Sequence, residues 1–395
     1  FCGIISTGAE PEYFEGMDQQ NQEWFVSSDI RGCHYEGVDF TILIPLDEKL
    51  IEGMRECETM FYDMVYRIEW KRSISFAERK RLYYRHLRFW NDFILTRKIN
   101  LYFSAWMPHE IPDLVIYYLC KYYNIPVLYF EAAAMVKDTS FAERSIEDSA
   151  KEVGLRFEEL QKTFADITDP EQIPLGKRFD ERYHALAKPE GQRPPAEVTL
   201  PTYLQKVFQL LKEAPGTFFR CAALFVTFSG IQRVANALER RKVFRQRNAF
   251  YDEHAIEPDL EKAFIYFPLH FQPEASTNPM GGVYADQVLV AQLLASKLPE
   301  GVLLYIKEHP WESGWLLRDV EYYETLLDIP NVRLVARNVS TFTLREKCKA
   351  TAVVTGTAGF ESIFFGRPVF LFGHRFYQYM KGVFPIHSVE DCESA

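Results

Sequence analysis

FIYFPLH (264–270), VLLYIKEHP (302–310), VRLVA (332–336), TAVVTG (351–356) and PVFLFG (368–373) are short apolar runs, separated by stretches of helical spacing. The spacers, about 285–297, 319–327, 341–349 and 359–365, repeat apolar residues every three to four positions. Runs that are apolar throughout suit strands covered on both faces, as in a parallel sheet. Strand–helix alternation therefore predicts a doubly wound domain over 261–395.

Upstream, FTILIP (40–45) predicts a buried strand, 47–70 a helical stretch and 76–97 a second long helix. NLYFSAW (100–106), a helix over about 112–123 and IPVLYFEA (125–132) repeat the alternation. This predicts a first α/β domain over 1–200. Residues 133–200 form a charged, partly helical excursion ending in the breaker-rich KPEGQRPPAEVTLP (188–201). Residues 201–260 read as a helical linker with a basic end. The fold class is α/β: two Rossmann-like, doubly wound parallel-sheet domains facing a cleft.

The chain has 395 residues and a net charge of −10, which argues against a general nucleic-acid binder. Its seven cysteines are scattered with no C-x-x-C, the pattern of free thiols in a reducing cytosol. No run approaches the roughly 18 apolar residues of a spanning helix. The start lacks the order of a signal peptide. HExxH, GxxxxGK[ST], GxGxxG and GxSxG motifs are absent, as is any D-x-D pair. No metal and no cofactor beyond a bound substrate are expected.

Ligands of open parallel sheets bind beyond the carboxyl ends of the strands. After the first strand of the last third comes HFQPEASTNPMGG (270–282), with Glu274 flanked by Gln272, Ser276 and Thr277. A carboxylate there suits a base, a nucleophile or a sugar ligand; a loop-stabilising Glu is the plainer reading. After the second strand, Lys307 and His309 stand two apart before Pro310, placed to hold a phosphate. After the fourth, Thr355, Gly356, Thr357 and Gly359 lead into a helix whose N–H groups favour an anion, with Glu361 placed for ribose hydroxyls. In the first half, His109, Glu110 and Glu131 are acceptor-side candidates, with Glu131 as a possible base. Within 232–248 stand Arg233, Arg240, Arg241, Lys242, Arg245 and Arg247 against Glu239 alone. That stretch reads either as a contact with an anionic membrane surface or as a solvated helix end.

Two α/β halves joined by a helical linker are the organisation of GT-B glycosyltransferases and of non-hydrolysing sugar epimerases. YFPLHFQPEASTNPMGG (266–282), YIKEHP (305–310) and VVTGTAGFESIFFGRPVFLFG (353–373) together resemble the bacterial capsule and surface-polysaccharide biosynthesis proteins, which include the retaining β-Kdo transferases. The resemblance implies a metal-independent GT-B glycosyltransferase at the cytoplasmic face of the membrane. It would move a Kdo-like sugar from a CMP-linked donor to a glycan or glycolipid acceptor. It puts Lys307 and His309 at the donor phosphate, and Thr355, Gly356, Thr357 and Gly359 at the nucleotide. Glu274 stands where the β-Kdo members carry an Asp nucleophile. Two alternatives stay open: a UDP-sugar 2-epimerase, and a non-catalytic nucleotide- or glycan-binding partner.

Overall fold

In the last third, the predicted strands form β6 (Phe264–Pro268), β7 (Leu303–Lys307), β8 (Val332–Val335), β9 (Ala350–Val353) and β10 (Val369–Leu371). The computed structural model describes residues 2–5, 22–65, 74–132, 139–187, 228–272, 274, 276–310, 312 and 318–395. These fall into two units. The first takes the described residues within Phe1–Glu69, Ser73–Ala132 and Ser140–Ser149; the second takes the rest, chiefly Ala150–Ala395.

The second unit holds one six-stranded sheet in the order β11-β10-β9-β6-β7-β8, where β11 is Val383–Pro385. Every neighbouring pair is parallel. From β6 the chain adds β7 and β8 on one side, then crosses back to add β9, β10 and β11 on the other. That is the doubly wound order, and its switch point lies between β6 and β9. The sequence reading missed β11, a three-residue edge strand; an edge tolerates Pro385 because no outer neighbour needs its missing N–H.

Alternation along β6 explains the two covered faces. Ile265 and Phe267 pack with Leu304, Ile306, Ala350 and Ala352. Phe264 and Tyr266 pack on the other face with Tyr305, Val335, Leu344 and Cys348. Successive side chains of a strand point to opposite faces, so both need a cover of helices. Helix Gln287–Lys297 is started by Asp286, whose side chain accepts from Val288 N–H. Val320–Leu327 is started likewise by Asp319.

The first unit pairs β1 (Cys2–Ile5) with β2 (Glu23–Val26) in parallel. It also joins β3 (Tyr102–Ser104) to β4 (Val127–Ala132) through helix Ile111–Tyr122, a parallel crossover as predicted. β5 (Ser140–Glu143) adds to β4 antiparallel, inside the stretch read as an excursion. Helix Phe76–Thr96 is capped by Ser75 and buries Tyr83, Leu87, Trp90 and Ile94, spaced by three and four.

FTILIP (40–45) is not a strand. Asp39 Oδ1 accepts from Thr41 N–H at 2.8 Å and from its hydroxyl at 2.6 Å, closing a turn. The Leu43 carbonyl takes a hydrogen bond from Arg88, and Ile44 N–H donates to Asp92. The long helix thus satisfies the backbone groups that a ladder would have used, and Ile42 is 80% exposed.

The helices of the excursion, Lys151–Thr163 and Lys177–Ala187, belong to the second unit rather than the first. Gly154 lies against the Tyr379 ring, and the Tyr183 ring sits 6.0 Å from that of Phe364. The breaker-rich 188–201 and the start of the predicted linker lie outside the described residues. The linker's described residues, 228–260, begin with helix Phe228–His254, whose Tyr251 is buried in the second unit's core beside Tyr323.

Candidate functional site

The sheet's switch point is stitched across by side chains. His270, just past β6, accepts Thr355 N–H on Nε2 at 3.1 Å, just past β9. Its Nδ1 therefore carries the proton of the neutral ring. Thr355 Oγ1 donates to the Ser276 carbonyl at 2.5 Å. The loop after β10 joins the same cluster, because His374 N–H donates to the Met280 carbonyl at 2.9 Å. The Arg375 guanidinium lies 3.5 Å from Met280 Sδ. Three strand-end loops thus converge at the carboxyl edge around β6, β9 and β10. Burial pushes the His270 pKa down to about 3, helped by the charge of Arg318. The ring stays neutral across the physiological range.

The K-E-H-P segment ends β7, next to β6. Lys307 is buried, with burial lowering its pKa, and its ammonium forms no ion pair among the described residues. His309 is half-buried, with its ring 5.7 Å from that of Phe271. Burial takes its pKa down to about 4; Arg318 and Lys307 push the same way and Glu308 opposes them. At neutral pH it offers an uncharged imidazole rather than the cation a phosphate site suggests.

Between them, Glu308 is buried and anchors the segment. Its carboxylate accepts from Arg318, from the Tyr323 hydroxyl and from His309 N–H. Its own N–H donates to Tyr251 Oη at 3.0 Å. Arg318 also donates to the His270 carbonyl, tying this anchor to the switch-point loops. Glu312 lies 3.8 Å from Arg318 and 3.6 Å from Arg247, all with side chains sealed from solvent. Burial raises the Glu312 pKa to about 7 against the pull of Arg318 and Arg247. Sequence reading missed this network. Its members come from three separated stretches, and only the pairing in space marks them.

The other predicted residues of the second unit make contacts of their own. Glu274 is exposed at the mouth of the first loop; its carbonyl starts the turn that Thr277 and Asn278 close. Gln272 donates to the Ala285 carbonyl, which secures the loop. Gly356 leaves no gap for a ligand on its Cβ side: a methyl there would lie 2.8 Å from His270 Nε2. At Gly359 the same space is filled by Val353, Tyr377 and Val369, so this glycine serves helix–sheet packing. Thr357 opens helix Thr357–Ile363, only seven residues long. Glu361 is paired with the buried Arg345 instead of standing free for a ribose.

In the first unit, Glu131 is buried on β4 and accepts from Ser149 Oγ at 2.9 Å. That burial does not suit an acceptor-facing base. His109 Nδ1 donates to the Met107 carbonyl, and Glu110 pairs with Arg31 at 2.7 Å. Arg247, read as part of a basic stripe, is sealed against Glu312; Arg241, Lys242 and Arg245 are exposed, and the side chains of Arg233 and Arg240 lie outside the described residues. The six described cysteines are free thiols. Among the described residues, no helix is long and apolar enough to cross a membrane. No group of three His, Cys, Asp or Glu among them could hold a metal ion.

Residues 240–384 match the family described as capsule polysaccharide biosynthesis protein. This span holds all three motifs that carry the resemblance, which therefore stands. No curated protein sequence matches the chain. Among solved structures, the β-Kdo 2,7 transferase of Thermosulfurimonas dismutans KpsC aligns at 18% identity and TM-score 0.26, over 40% of this chain and 50% of that one. The chain thus spans about half the length of the KpsC structures it matches. The UDP-GlcNAc 2-epimerase of Methanocaldococcus jannaschii aligns at 10% identity and TM-score 0.27, over 88% and 89% of the two chains. That of Neisseria meningitidis, bound to UDP-GlcNAc, aligns at 14% and 0.27, over 80% and 71%.

Proposed function

We propose that the chain is a glycosyltransferase of bacterial surface-polysaccharide assembly, acting in the cytoplasm on a nucleotide-activated sugar. One observation carries the reading. Within the segment that matches the capsule family, the strand-end loops of β6, β9 and β10 meet at the switch point of a doubly wound sheet, with Lys307 at the end of the neighbouring strand and His309 just past it. Ligands of such sheets lie in that crevice.

In this reading Lys307 faces the donor phosphate as an unpaired ammonium. His309 donates a hydrogen bond from a neutral ring. The Glu308–Arg318 anchor fixes both by holding the backbone between them. The donor is a Kdo-like sugar on CMP. Glu274 forms a bond to the anomeric carbon as the phosphate oxygen of CMP leaves with the bonding pair. Lys307 offsets the charge that develops on it. An acceptor hydroxyl then displaces Glu274, losing its proton to solvent, with overall retention. None of these steps calls on a metal.

The test is a transfer assay with CMP-Kdo and a Kdo-primed glycolipid, following CMP release and product. Glu274→Gln should lower turnover by at least about a hundredfold, on the scale of losing a nucleophile. His309→Ala should weaken donor use without unfolding the chain. Full activity in both variants would contradict the site assignment. Turnover of free UDP-sugar with no acceptor would point to the epimerase instead.

A further inference from the structure

We propose that the hollow between residues 40–46 and helix Phe76–Thr96 binds an acidic saccharide, with its carboxylates held by Arg81, Arg85 and Arg88. The hollow, about 520 Å³, is lined by Phe40, Pro45, Leu46 and Tyr84 besides these arginines. Its volume is within the usual range for small-ligand sites. It lies wholly inside the first unit.

The arginines stand at i, i+4 and i+7, so they share one helix face. Like charges at that spacing repel, and a fold normally relieves them with carboxylates. Here none of the three forms an ion pair among the described residues, and no carboxylate is among the described residues that line the hollow. Lys80 adds a further charge, its ammonium 5.7 Å from the Tyr84 ring.

Two of the arginines are held in place by the fold. Arg85 Nε donates to the Cys33 carbonyl at 3.3 Å, and its guanidinium lies 4.0 Å from the Phe40 ring centre. Arg88 donates to the Leu43 carbonyl at 2.9 Å. Their outer N–H groups not used in these bonds are the donors left for a ligand, and a guanidinium fork matches a carboxylate with two parallel bonds. The wall of Phe40, Pro45, Leu46 and Tyr84 offers the apolar and aromatic surface on which the C–H face of a sugar packs. A bare inorganic anion would make no use of that wall. The anion preference follows from the arginines alone; that the anion is a saccharide rests on the function proposed above.

The test is calorimetric titration of the full chain with tetragalacturonic acid, which carries a carboxylate on every sugar, and with neutral maltotetraose. It is run on wild type, Arg81→Gln and Arg81→Gln/Arg85→Gln. Arg81 makes no hydrogen bond or ion pair among the described residues, so its variant leaves the fold intact. Tetragalacturonate should bind, and maltotetraose should not. Affinity should fall in Arg81→Gln and by at least about tenfold in the double variant. Equal binding by the variants, equal binding of maltotetraose, or displacement by inorganic phosphate at the same concentration would each overturn the inference. So would a folded wild type that binds no tetragalacturonate. A thermal shift with CMP, recorded on the same samples, separates the two readings. If that shift is absent while tetragalacturonate binds through the arginines, the transferase reading falls and the anion site stands.

Discussion

His270 joins two loops only because it stays uncharged. Its folded pKa is about 3, against 6.5 for a free histidine. As pH falls below 6.5, the unfolded chain takes up a proton that the folded ring refuses, so this residue's contribution to stability falls with it. The difference in melting temperature between wild type and His270→Gln should therefore be largest near pH 7 and shrink toward pH 4. A difference that does not vary with pH would contradict the neutral, accepting Nε2. Glu312 has the opposite sign. Between about 4.5 and 7 its folded carboxyl keeps a proton that the unfolded chain gives up, so its contribution falls as pH rises through that window. At Gly356, a Cβ would meet His270 at 2.8 Å. Gly356→Ala should destabilise the chain by about 1–3 kcal/mol and weaken nucleotide binding. An unchanged melting temperature would show that the ring gives way freely.

At the scale of elements, the K-E-H-P loop depends on a helix remote in sequence. Tyr251 and Arg247, one turn apart on Phe228–His254, hold Glu308 N–H and the Glu312 carbonyl. Arg318→Met would leave the Glu308 carboxylate buried without its cation. The expected cost is about 3–5 kcal/mol by chemical denaturation; a loss under about 1 kcal/mol would mean that Tyr323 and the backbone suffice. The strands of the last third were legible because both faces are buried, so each run is apolar from end to end. FTILIP looks the same to that test. It fails as a strand because Asp39 closes a turn and the long helix takes up its backbone groups. K-x-H-P and T-G-T-A-G stood out through their place at strand ends. His270 and Arg318 did not, and Arg247 read only as one of a basic stretch, since nothing local marks a histidine that accepts or an arginine that is buried. Glu361 and Gly359 looked functional from position, but their partners Arg345 and Tyr377 are set by folding.

For the molecule as a whole, the proposed function puts a nucleotide at the switch point of the second unit. Hydrogen exchange with CMP present should slow amides in 270–282 and 355–359, and leave those of helix Phe76–Thr96 unchanged. Protection confined to the first unit would move the site. The proton balance gives a second sign. An anion beside His309 favours its charged form, so its pKa should rise from about 4 on binding and affinity should increase as pH falls from 6 toward 5. The most direct measurement is the thermal shift of the chain with CMP, CDP, UDP, GDP and dTDP, repeated on His309→Ala. A ligand at about 100 times its dissociation constant adds roughly 2.7 kcal/mol. CMP should stabilise the chain selectively, and the shift should be lost or sharply reduced in the variant. Stabilisation by no nucleotide, or an equal shift in His309→Ala, would contradict this.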